Sequence, residues 1–196
     1  MMKRSRKAAL VLMVPATTFL FAGCAEDTQQ AMVFSDPGEC STSGYGSGEQ
    51  CQADFEAAQT LHPEVAPKYL STEECEADFG AGKCETAPQQ TTSGGSVFMP
   101  MMMGFLAGQM MNRGAAAGQN LQQQGPAAGS RVPTQPLYKS VDDGSTFRTA
   151  TNTPVAKGTG LVALKPSQVK PQTGQLVRRG GFGQQAAMRS MAGAGS

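Results

Sequence analysis

At 196 residues, a formal net charge of +1 and 39% hydrophobic residues, the chain has the length of one domain without the composition of a large core. It has no Trp and no Ile, and beyond residue 23 only 24 residues are Leu, Val or Phe, below the roughly 20% under which chains lean toward disorder. Gly and Pro supply 36 residues, which argues against long regular elements.

The first element is a leader. Lys3, Arg4, Arg6 and Lys7 precede an uncharged, mostly apolar run from Ala8 to Phe21 that closes on Ala22-Gly23-Cys24. A short apolar stretch behind basic residues, ended by small ones, is a secretory signal. It is shorter than the roughly 20 residues needed to span a bilayer, and Pro15 interrupts it. Ala22-Gly23 before a cysteine resembles the lipobox of bacterial lipoproteins, in which the leader is cut off and the cysteine thiol carries diacylglycerol. Phe21 stands where Leu is commoner, and the alternative is an ordinary signal peptide with an incidental cysteine. The expectation is a signal over 1–23, lipidation of Cys24 and attachment to the membrane through that lipid. Ala25, in place of Asp, favours the outer membrane, with the protein facing the periplasm or the surface.

Residues 24–35 read as a tether and residues 36–86 as an acidic four-cysteine module. From residue 24 to 90 there are 13 acids and two bases; from 91 to 196 there are two acids and ten bases. In Glu49–Leu61, Cys51, Phe55, Ala58 and Leu61 share one helical face. Ser71-Thr72-Glu73-Glu74 is a capping box opening a helix over Thr72–Phe79 that stops at Gly80. His62-Pro63 and Ala66-Pro67 break the pattern between them. Cys51-Gln52-Ala53-Asp54-Phe55 is echoed by Cys75-Glu76-Ala77-Asp78-Phe79, which suggests two related units.

With Cys24 lipidated, Cys40, Cys51, Cys75 and Cys84 remain, an even set that reads as two disulfides in an oxidising compartment. Three pairings are possible, and the local one, 40 with 51 and 75 with 84, is preferred. No Cys-x-x-Cys is present to suggest zinc or redox chemistry. His62, the single histidine, reads as an exposed turn residue, and the carboxylates of 49–78 as a solvated face. No catalytic residue, metal ligand or cofactor is expected.

Residues 87–96 read as a Thr/Ser/Gly linker and 97–112 as a Met-rich apolar segment. A helix over 98–111 would be about 21 Å long, short of the roughly 30 Å hydrocarbon core. Gly104 and Gly108 would form a close-approach face. Phe98, Met99, Met102, Met103, Gly104, Phe105, Leu106 and Gly108 are therefore expected to mediate self-association or docking to an envelope protein. Shallow membrane insertion, thioether binding of Cu(I), and docking onto the cysteine module as its missing core are the alternatives. Residues 113–196 read as a basic, Gly/Gln/Pro-rich disordered tail, apart from a short strand or turn around Thr159–Leu164. Arg178-Arg179-Gly180-Gly181-Phe182-Gly183 reads as a flexible basic terminus with one aromatic anchor; an exported chain meets little RNA, so no nucleic-acid partner is expected. The fold expected is a small α-rich, disulfide-stapled module with a short apolar Met-rich helix, the C-terminal half largely disordered.

Several stretches together resemble the DUF1190 (UPF0441) family of uncharacterised proteobacterial envelope proteins. They are Ala66-Pro67-Lys68-Tyr69, Glu74-Cys75 through Phe79-Gly80-Ala81-Gly82-Lys83-Cys84, Phe98-Met99-Pro100-Met101 and Arg179-Gly180-Gly181-Phe182-Gly183. The resemblance brings no established activity. It implies a non-enzymatic interaction or structural lipoprotein of the envelope. The family's frequent neighbours, ATP-grasp proteins resembling glutathionylspermidine synthase, imply the alternative of an accessory to thiol or polyamine chemistry.

Overall fold

The computed structural model describes residues 26–108 and 132–193. In chain order these form β1 (Gln29–Phe34), α1 (Pro37–Thr42), α2 (Gly48–Val65), α3 (Thr72–Phe79), β2 (Cys84–Gln90), β3 (Ser96–Pro100) and β4 (Gly104–Ala107). Then come β5 (Gln135–Ser140), β6 (Asp143–Arg148), β7 (Pro154–Lys157), β8 (Gly160–Leu164), a 3₁₀ turn (Pro166–Val169) and α4 (Gln184–Gly193). The leader, Cys24, Met110, Met111 and residues 113–131 lie outside the described residues.

Six strands make one antiparallel sheet in the order β7-β6-β5-β4-β1-β8. Its two edges, β7 and β8, are consecutive in the chain and joined through Gly158-Thr159, so the sheet curls nearly shut into a barrel. Ala31, Val33, Leu106, Val132, Leu137, Phe147, Val155, Leu164 and Val169 fill the inside. The α-rich expectation is therefore wrong: the fold is mostly β, with α1 and α2 laid on the outside of the barrel and α3 chiefly against the β2–β3 hairpin.

The Met-rich segment shows why. Its described part, residues 97–108, holds no helix and crosses two sheets, as β3 and then β4. β3 pairs with β2 in a separate hairpin (Cys84↔Pro100, Thr86↔Phe98, Gln90↔Ser96), whose arms and turn occupy the stretch read as a linker. β4 lies between β1 and β5, in register Phe34↔Phe105 and Gly104↔Leu137. Leu106 points into the barrel, while Phe105 and Ala107 pack outward against Phe34, Cys40, Cys51 and Ala58. A strand buried on both faces has no alternation, and a continuous apolar run cannot be told from a buried helix by periodicity. The segment is the core of its own molecule, close to the alternative in which it docks onto the cysteine module.

The tail is also folded where it is described. β5, β6, β7 and β8 come from it, and β8 is the strand foreseen around Thr159–Leu164. Five-residue strands show only two or three side chains inward, so Leu137, Phe147, Val155 and Leu164 suffice where composition alone suggested disorder. At the other end, β1 begins at Gln29 inside the presumed tether and becomes a central strand.

The helices follow their local signals. Ser47 Oγ accepts from Gln50 N and Ser71 Oγ from Glu74 N, each at 3.2 Å. The internal echo thus extends back to the caps, aligning Ser47–Phe55 with Ser71–Phe79. Both disulfides have the local pairing: Cys40–Cys51 ties α1 to α2 and Cys75–Cys84 ties α3 to β2. α2 runs through Pro63 to Val65, since a proline in the last turn sacrifices one hydrogen bond without ending the helix.

Candidate functional site

The end of α2 is where buried polar groups gather. A helix leaves its last carbonyls without intrahelical donors; here the C-cap residue answers the first of them, a nearby side chain the second and a remote backbone N–H the third. Ala66 N donates to His62 O at 2.9 Å, Lys68 Nζ to Pro63 O at 2.5 Å and Gly174 N to Glu64 O at 2.8 Å. A cation at this end also suits the helix dipole. Gly174 is glycine of necessity, because a Cβ there would strike the Ala66 carbonyl.

His62 is 7% exposed, not the solvated turn residue read from the sequence. Its Nδ1 lies 2.8 Å from Tyr138 Oη and its Nε2 3.1 Å from Glu85 Oε1. A neutral ring with its proton on Nε2 satisfies both: Tyr138 donates to Nδ1, and Nε2–H donates to Glu85. Burial holds His62 below its ordinary pKa, against the pull of Glu85, and the charge of Lys68 adds to the depression. Burial, reinforced by the Glu85 charge, pushes the Tyr138 phenol well above its usual range. The three side chains form a hydrogen-bonded line from the half-exposed Glu85 to the barrel wall.

A second cluster centres on Asp78, buried on α3 in spite of the expected solvated face. Its carboxylate accepts from Tyr69 Oη (2.9 Å), Gly180 N (2.7 Å) and Phe182 N (3.1 Å). The Arg-Gly-Gly-Phe-Gly stretch is thereby clasped to α3 and is no free terminus. The Phe182 ring lies 4.7 Å from Phe79 and 6.3 Å from Tyr138. Asn152, in a left-handed conformation (φ 66°), exchanges two hydrogen bonds with the Gly183 backbone, at 2.9 and 3.0 Å. Asp142 accepts from Gln184 N and Gln185 N at the start of α4, and these bonds draw its carboxyl below the usual range despite partial burial.

Lys68 joins the two clusters. Residues 68–69 are stitched to the C-terminal segment on one side (Lys68 N to Gln175 O, 2.9 Å) and to β3 on the other (Tyr69 N to Phe98 O, 2.8 Å). Tyr69 turns toward Asp78, while Lys68 turns toward β3, 3.7 Å from Met99 Sδ. Lys68 as a residue is 9% exposed, and burial lowers its pKa. It borders a cavity of about 530 Å³ between the β2–β3 turn and residues 173–176.

The sequence-derived site residues are dispersed through the interior. The four cysteines are spent in the disulfides, with Cys40, Cys51 and Cys75 fully buried. Phe98 and Met99 pack with the α3 cluster, Met102 and Phe105 under α1 and α2, and Met103 and Leu106 with the barrel interior. Gly104 and Gly108 face neighbouring backbone of their own chain. His62, Lys68 and Asp78 went unselected; the available signals were a lysine just past a helix end and an aspartate at the same place in both repeats. Among the described residues no group of three or more His, Cys, Asp or Glu is placed to hold a metal ion.

A family model described as a protein of unknown function (DUF1190) matches residues 28–193. A UPF0441 protein of Erwinia tasmaniensis is 32% identical over 196 residues, covering 95% of this chain and 84% of the relative. No solved structure matches. The stretches that carried the resemblance are the ones that form the second disulfide, the Asp78 clasp and the strand β3, and the chain belongs to the DUF1190 (UPF0441) family of uncharacterised proteins.

Proposed function

We propose that the protein is an exported lipoprotein of the bacterial envelope, held at the outer membrane through Cys24, whose folded body has a non-enzymatic interaction or structural role. The observation that carries this reading is the pair of disulfides within one small fold, which belongs to oxidising compartments. It agrees with a basic, apolar leader ending in Ala22-Gly23-Cys24. β1 starts five residues beyond Cys24, so at roughly 3.3–3.6 Å per extended residue the barrel would ride close to the lipid surface. Among the described residues all four cysteines are paired in these disulfides.

The test is Cys24→Ser in cells fed labelled palmitate. The label should vanish from the protein, and the protein should leave the outer-membrane fraction. Unchanged labelling and fractionation would rule out the lipid anchor.

A further inference from the structure

We propose that the cavity beside Lys68 binds an aliphatic monocarboxylate, its headgroup paired with the Lys68 ammonium and its chain lying against Val97 and Leu176. The inference does not depend on the lipid anchor. It starts from an imbalance of charge. Lys68 is more than nine-tenths buried, yet among the described residues no carboxylate pairs with it. Its ammonium has three N–H donors; one meets the Pro63 carbonyl and another only the weak acceptor Met99 Sδ. Buried charges are ordinarily paired, so this cation has room for an anionic partner.

The cavity shapes what that partner can be. Val97 on β3 and Leu176 supply apolar walls, with Thr91, Thr92 and Thr173 around them. Leu176 is 58% exposed, an apolar side chain left open at the mouth. About 530 Å³ lies within the range of small-molecule sites. One buried cation, with Glu64 bordering the same cavity, suits a single negative charge better than a doubly charged phosphate. The backbone of residues 68–69 is bonded on both sides, and the Pro63 carbonyl holds the ammonium itself in place before any ligand arrives.

The experiment uses the full chain in an uncharged maltoside detergent and octanoate labelled with ¹³C at the carboxyl, followed by NMR titration. Wild type should show a saturable shift of the carboxyl signal. Lys68→Met should weaken binding about tenfold or more, the loss expected for removing one partner of a desolvated charge pair. Leu176→Asp, at an exposed position that leaves the fold alone, should weaken it comparably and decides the matter if Lys68→Met fails to fold. Octanol, lacking the charge, should compete poorly. The proposal is overturned by an absence of saturable binding, by octanol or octyl phosphate competing as well as octanoate, or by unchanged affinity in Leu176→Asp.

Discussion

A Cβ on Gly104 would run into the carbonyl of Phe34 on β1 and the ring of Phe147 on β6. On Gly108 it would meet the Val132 carbonyl. Both glycines are thus explained by the close approach of the chain to itself, and the four-residue spacing that suggests a helix-packing face has no such role here. Gly104→Ala should cost about 1–3 kcal/mol, the usual penalty for overpacking a filled core. Urea unfolding with the disulfides intact measures it. Gly144→Ala is the control, since its Cβ would meet nothing within 4 Å. Equal midpoints for the two variants would mean that β4 does not pass as tightly between its neighbours as described.

At the level of elements, α2 carries a dependence on pH. His62 titrates near its ordinary 6.5 in the unfolded chain and lower in the folded one, mainly through burial. Below pH 6.5 the unfolded state takes up a proton that the folded state resists, so stability is full above 6.5 and falls as the pH drops toward the folded value. The loss at pH 5.5 is at most about 1.4 kcal/mol, one pH unit's worth. Asp142 and Asp143 also have lowered values, Asp143 to about 2, but both begin from 3.8 and titrate below this window. Urea midpoints at pH 7.5 and 5.5 should differ in wild type and coincide in His62→Gln. A difference of the same size in His62→Gln would place the titrating group elsewhere.

The same helix marks how far the sequence could be read. The Ser71 cap and the Thr72–Phe79 span were legible because a capping box is a local signal, complete within four residues. The cysteine pairing was legible as one of three choices because its loops are short. The site was not, because its partners are remote: Tyr138 is 76 residues from His62, and Gly180 and Phe182 lie 102 and 104 from Asp78. A lone histidine before a proline has no local feature that says it will be buried. The strands other than β8 were missed for a related reason, since β4 is apolar on both faces and β5 to β7 are short runs scattered through Gly- and Thr-rich sequence.

The whole molecule is interleaved in a way that no division into an N-terminal module and a tail describes. β1 pairs with β4 on one side and with β8 on the other, across more than a hundred residues. Of the barrel core, Ala31, Val33 and Leu106 come from before the undescribed stretch, and Val132, Leu137, Phe147, Val155, Leu164 and Val169 from after it. The α3 cluster has the same debt, since Tyr138 and Phe182 close over Tyr69, Cys75 and Phe79. The two disulfides close loops with separations of 11 and 9 residues and would contribute roughly 3 kcal/mol each in the chain-entropy model. They constrain α1 to α2 and α3 to β2 and supply none of the missing strands. A fragment of residues 24–112, oxidised, should therefore give collapsed amide signals in a ¹H–¹⁵N spectrum. Adding residues 132–196 in trans should restore dispersion, because the second piece brings most of the barrel core and both strands that flank the exposed edges of β1 and β4. Native-like dispersion in the first fragment by itself would show that the cysteine module folds on its own and that the barrel is assembled on it afterwards.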